Sequence, residues 1–167
     1  VVATIPVHRL PYMIAVDPTG HRAYVPNSGS NTVSVLDLGR RRQIAEAGTG
    51  EQPGLARVSP DNRTLVVTNR GSNSVSLFSI AADDAPSSTP ALRLRAAFSG
   101  CPGATDAAIL PDSSKAFIAC SAGHQVMAIS LAAAPGSWAA RQNPAQMTDH
   151  LLTLLDVGLT PVDLSMK

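Results

Sequence analysis

The sequence has no run approaching the roughly 20 consecutive apolar residues that a membrane-spanning helix requires, although 44% of its residues are apolar. It is also poor in charge. Only 15% of residues are charged, and 13 Lys and Arg against 12 Asp and Glu leave a formal net charge of +1. That balance gives no electrostatic footing for nucleic acid or an acidic membrane surface. Lys115 and Lys167 are the only lysines, and the one basic run, Arg40-Arg41-Arg42, reads as a solvated turn between strand-like segments. No signal peptide is recognisable; because the chain begins at Val1 rather than Met, it reads as a processed, cut or partial chain and that absence carries no information.

Motifs of metal and nucleotide chemistry are missing as well. The two cysteines, Cys101 and Cys120, belong to no CxxC pair, and no His stands at metal-ligand spacing from either. There is no HxH, no HExxH, no GxSxG elbow and no glycine-rich phosphate loop ahead of a helix. No metal or cofactor is therefore expected. The cysteines leave two arrangements open: a disulfide in an oxidising compartment, or two separate thiols. Gly100, Pro102 and Gly103 allow the bend that a bridge would need.

What the sequence does have is an echo. Pro11, Pro18, Asn27 and Val33 recur as Pro53, Pro60, Asn69 and Val75, each 42 positions on and without a gap. A period of about 40 to 45 residues points to propeller blades or helical arrays. Within the second copy, Gly54 to Val58, Thr64 to Thr68 and Ser74 to Ile80 are short apolar segments. The turn Ser59 to Arg63 and the polar loop Asn69 to Asn73 separate them, so they read as strands. A further strand precedes each unit: Val1 to Val7, Arg42 to Ala47 and Leu92 to Phe98. Four strands per repeat of this length make a propeller blade. Segments such as Tyr12 to Val16 lack a polar face, as expected of inner strands covered on both sides, whereas the outer strands should be more polar.

A third copy follows at an offset of 51, with Ala107 to Asp112, Ala116 to Cys120 and Gln125 to Leu131 in the same grammar. Ala81–Ala91 lengthens one connection, a second insertion spans roughly Ala132–Asp149, and Leu151 to Val157 reads as the third outer strand. The expected class is all-β: a propeller of four-stranded antiparallel blades, about three present, in an incomplete ring. The expected division is an outer strand of a preceding blade over 1–7, blades over 8–47, 48–98 and 99–157, and the start of another over 158–167. Propellers need roughly four to eight blades, so other blades of the same protein, or self-association through the bare faces, should complete it.

Tyr24-Val25-Pro26-Asn27 and Val66-Val67-Thr68-Asn69, each followed by Gly, Ser, Asn and Val, resemble the YVTN-type β-propeller repeat. In the third copy Cys120 replaces the motif Asn, and His124 replaces the later one. The resemblance covers nearly the whole chain apart from the insertions. It implies a seven-bladed bacterial propeller that is secreted, periplasmic or at the cell surface. It extends to the wider lactonase-like group, some of whose members hydrolyse sugar lactones, but no established catalytic set of that group maps onto a motif here.

Repetition marks Asn27, Asn31, Asn69 and Asn73 as structural turn residues, since each blade needs the same turn. Strand order puts their loops on one top face with the blade-to-blade connections. Four residues there break the echo: Arg70, His124, Glu51 and Asp106. They are the candidate contacts for an unknown protein or small-molecule ligand. The leading expectation is an extracytoplasmic binding module without an evident catalytic site. The alternative is a lactonase-like hydrolase acting on a sugar lactone, with part of its site in missing blades. A redox propeller, such as an amine dehydrogenase subunit, finds no haem attachment motif to support it.

Overall fold

A computed structural model of the chain describes residues 2–134, 137, 141–142, 144–159 and 161–164. Val1, Thr160, residues 165–167 and parts of the insertion over 132–149 lie outside the described residues, and with them the ends of the two expected flanking units.

Among the described residues the strands form three separate four-stranded sheets. The first holds β1 (Ala15–Val16), β2 (Arg22–Asn27), β3 (Thr32–Asp37) and β4 (Arg42–Gly48). The second holds β5 (Pro53–Val58), β6 (Thr64–Asn69), β7 (Ser74–Ile80) and β8 (Leu92–Ser99), and the third β9 (Ala104–Ile109), β10 (Lys115–Cys120), β11 (Gln125–Ser130) and β12 (His150–Asp156). In each, neighbours in sequence are antiparallel neighbours in space. The innermost strands β1, β5 and β9 contact one another in order, as blades do around a channel. The chain is an incomplete β-propeller.

Backbone geometry repeats with the sequence. Left-handed φ values occur at Leu10, Gln52 and Gly103, then at Gly20, Asn62 and Ser113, and again at Asn31, Asn73 and His124. Each series steps by 42 and then 51 residues. The outer pairing also bulges at the same place in every blade, leaving Ile44, Arg95 and Leu152 out of register. A bulge re-aims the side chain it carries.

Alternate side chains of a central strand serve opposite interfaces, because successive residues point to opposite faces. On β6, Leu65 and Val67 join Tyr24, Val33, Val35 and Phe78 in the core between the first two blades. Val66 faces the other way, with Leu77, Ile118, Met127 and Ile129 between the second and third. All six residues of β6 are buried.

The two ends depart from expectation. No strand forms over residues 2–7, where the sequence points to an outer strand; Ile5 and Val7 instead pack on Ala23, Val25 and Leu36. Of the segment Tyr12 to Val16 only Ala15–Val16 is a strand, held to Ala23 and Tyr24, with Pro11 bridging to Asn27. Tyr12 is 73% exposed and Ile14 59%. An inner strand is covered by the blades on either side, and here one side has none. At the other end β12 is apolar rather than polar, and Leu151, Leu152, Leu154 and Leu155 are exposed.

Candidate functional site on the inner strands

The top-face loops are built by backbone bonds that repeat from blade to blade. Arg70 and Gly71 donate their N–H groups to the carbonyls of Gln52 and Glu51, as Ser28 and Gly29 do to Leu10 and Arg9, and Ser121 and Ala122 to Gly103 and Pro102. Asn27 is buried, its Nδ2 donating to Thr32 Oγ1 and Ser34 Oγ at 3.1 and 2.9 Å; Asn69 does the same with Ser74 and Ser76. Asn31 and Asn73 accept from the N–H groups of Gln52 and Gly103 through Oδ1. These four asparagines therefore sit in structural hydrogen bonds. His124 takes the same left-handed conformation as Asn31 and Asn73, with φ of 55°, 57° and 51°. Glu51 and Arg70 are exposed on adjoining loops.

Where the echo places Asn27 and Asn69, the third blade has Cys120, bonded to Cys101 with Cα atoms 4.8 Å apart. Gly50 is the counterpart of Cys101, one repeat earlier. A Cβ at Gly50 would come within 2.8 Å of the Asn69 side chain, so glycine there leaves room for the amide. The hydroxyls that hold Asn69, Ser74 and Ser76, become Gln125 and Met127 in the third blade. A covalent pair thus replaces the whole polar arrangement.

Asp106 belongs to a different constellation. It stands on β9, the innermost strand of its blade, where the first and second blades carry Met13 and Leu55. On β5 Arg57 stands where the other blades have Ala15 and Ala108. These two exceptions meet across the blade boundary. Arg57 Nη2 donates to Asp106 Oδ1 at 2.8 Å, and Nε donates to the Ala107 carbonyl at 2.9 Å. Asp106 is only 6% exposed. Its Oδ1 also accepts from Ala107 N at 2.8 Å and its Oδ2 from Leu164 N at 2.9 Å. Burial alone would raise its pKa; the N–H groups of Leu164 and Ala107, a hydrogen bond with the Asp163 carboxyl, and Arg57 outweigh it and hold the group below the ordinary carboxylate value.

Asp163 is the residue that the opening of a fourth unit aligns with Asp106. Of the two, Asp106 is the one held in its ionised form, and it can serve as a base. Beside it, the half-exposed Arg57 uses two donors on Asp106 and Ala107 and has guanidinium N–H groups left over. The arrangement can bind an oxyanion and move a proton. Arg57 and Asp163 escape a reading that looks only at loops. Their signal is a charged residue at an inner-strand position that the other copies fill with Ala, Met or Leu.

Residues 11–92 match the model of the family described as lactonase, 7-bladed β-propeller. No curated protein matches the chain in sequence. Among solved structures it is similar to the periplasmic gluconolactonase of Pseudomonas aeruginosa, with 23% identity and a TM-score of 0.69 over 93% of this chain and 42% of that one. It is similar to a candidate 6-phosphogluconolactonase of Bacteroides fragilis, with 18% identity and a TM-score of 0.70 over 91% and 40%. It is also similar to the hydrazine synthase of Kuenenia stuttgartiensis, with 24% identity and a TM-score of 0.63 over 72% and 32%. The chain thus spans about two fifths of the two lactonase-named proteins. The resemblance to lactonase-like propellers holds, and identities this low establish the fold alone. The same blades superpose on proteins named for unrelated chemistries, so the site has to carry the functional argument.

Proposed function

We propose that this chain contributes to a lactonase-type propeller hydrolase that opens a sugar lactone in an extracytoplasmic compartment. The observation that carries the reading is the Arg57–Asp106 pair on the inner strands, at positions the scaffold elsewhere fills with apolar residues. The family match over residues 11–92 supports it over a binding module. The Cys101–Cys120 bond supports an oxidising compartment, where disulfides persist.

In this reading the lactone carbonyl lies against the unused N–H groups of Arg57. The ionised Asp106 carboxylate takes a proton from water, whose oxygen bonds to the carbonyl carbon. The resulting oxyanion is held by the guanidinium. The tetrahedral centre collapses, the ring C–O bond breaks, and Asp106 gives the proton it took from water to the departing alkoxide. Asp106 stays oriented by two backbone N–H groups throughout.

The test is hydrolysis of δ-gluconolactone and related γ-lactones by the purified protein, corrected for spontaneous opening. Asp106→Asn and Arg57→Met should each lower the rate at least about 100-fold, the usual range for losing a positioned acid–base group, while thermal melting reports that they still fold. A wild-type rate equal to the spontaneous one defeats the proposal. It would return the protein to a binding module, with Glu51, Arg70 and His124 as the loop residues to test.

A further inference from the structure

A second cluster lies at the other end of the second blade, where Arg63, Arg93 and Arg95 line a cavity of about 310 Å³ with Ser79, Ile80, Ala132, Ala133, Ala134 and Met147. Its charge is uneven in a way the repeat makes visible. In the first blade Arg42 sits opposite Asp37 in cross-strand register. One repeat on, Arg93 occupies the position of Arg42, and the residue opposite it is Ser79. The acid has been replaced by a hydroxyl and the base kept. Arg63 stands in the β5–β6 turn, where the other copies have His21 and Ser114.

The third arginine differs. Arg95 is the bulged residue of β8, and its two counterparts, Ile44 and Leu152, are apolar. It turns to the insertion, where Nη2 donates to Asp149 Oδ1 at 2.7 Å and to Thr64 Oγ1 at 3.2 Å. Asp149 is consumed by this pair and by the N–H of Ala132. Asp61, the other carboxylate nearby, accepts from Ser59 Oγ and from the backbone N–H of Arg63, not from its guanidinium. Among the described residues no carboxylate pairs with the Arg63 or Arg93 side chain. The remaining residues of the chain contain no Asp or Glu.

We propose that this cavity is a phosphate-binding site, taking a small phosphomonoester through Arg63 and Arg93. Two uncompensated guanidinium groups match a dianion in charge, and their fork geometry suits phosphate oxygens. The Ser79 hydroxyl adds a donor. The volume is at the lower end of small-molecule pockets, with room beyond the phosphate for a small organic body against Ile80, Met147 and the Ala132–Ala134 stretch. The site is separate from the inner-strand carboxyls and stands whether or not those hydrolyse a lactone.

Calorimetric titration at fixed ionic strength tests it, with inorganic phosphate, glucose 6-phosphate and unphosphorylated glucose as probes. Both phosphates should bind saturably to one site and glucose should not. A tighter ester places its body on the apolar floor, and equal affinities assign the site to the phosphate group alone. Arg63→Gln and Arg93→Gln should each weaken binding about tenfold or more, equal to about 1.4 kcal/mol, and together abolish it. Both side chains are at the surface, so melting temperature should hardly change. Arg41→Gln, in the basic run of the first blade, should bind as wild type. Absence of saturable phosphate binding overturns the proposal. So does an equal loss in Arg41→Gln, which would reduce the effect to diffuse surface charge.

Discussion

Breaking the Cys101–Cys120 bond should cost this chain a large part of its stability. The cysteines are 19 residues apart in sequence, and closing a loop of about 20 residues removes denatured-state entropy equal to about 3 kcal/mol. Domains are stable by only about 5–15 kcal/mol. Spread over the unfolding entropy of a chain of 167 residues, that loss lowers the melting temperature by about 9 °C. The Cys101→Ala/Cys120→Ala variant should show it in urea unfolding followed by circular dichroism. The repeat offers a sharper version. Matching the other blades suggests asparagine as the natural replacement for Cys120. Geometry argues against it, because Gln125 and Met127 stand where Ser74 and Ser76 hold the amide of Asn69. A buried amide without those partners costs about 1–3 kcal/mol. Cys101→Ala/Cys120→Asn should therefore be less stable than the double alanine. A double-alanine loss below about 1 kcal/mol would refute the loop-closure account, and an asparagine variant more stable than the alanine would refute the packing account.

Two further perturbations follow from buried charges. Arg95→Leu strands the Asp149 carboxylate, whose side chain is 2% exposed, and should cost about 3–5 kcal/mol in urea unfolding; Arg95→Leu/Asp149→Leu should lose much less than the sum of the single changes. Asp106 has a folded-state pKa below its unfolded value, so its contribution is fully present above about pH 5. That contribution is lost as pH falls through the folded pKa. The stability gap between wild type and Asp106→Asn, measured by urea midpoint, should stay constant from neutral pH to about pH 5 and close on further acidification.

The architecture was legible because a repeat is read three times over. Pro18 and Pro60, or Asn27 and Asn69, need not be interpreted singly; the constant step between them fixes the register of every strand that follows. The same logic misled at the ends. Tyr12, Met13 and Ile14 have the apolar pattern of a covered inner strand, but burial depends on what packs against them, and that is tertiary context rather than pattern. His124 shows the converse limit. As a letter it breaks the echo, yet its backbone keeps the left-handed conformation of Asn31 and Asn73. Arg57 was hidden for the opposite reason: one charged residue in a short strand looks like ordinary alternation until the copies are laid side by side and Ala15 and Ala108 appear opposite it.

Departures from a repeat are therefore unequal, and desolvation ranks them. An exposed loop accepts Glu51 or Arg70 at almost no cost, because water solvates the charge in either state. An inner strand does not. Removing the Asp106 carboxylate from water is unfavourable by several kcal/mol before its partners are counted, and Arg57, two backbone N–H groups and Asp163 are all engaged in offsetting it. Leu55 and Met13 fill the equivalent positions with no such support, so the blade itself has no need of an acid there. Replacing a buried ion pair by apolar residues is often neutral or stabilising, which removes fold stability as a sufficient reason for keeping it. What remains is the chemistry proposed for the pair, with Arg57 to hold an oxyanion and the ionised Asp106 to accept a proton.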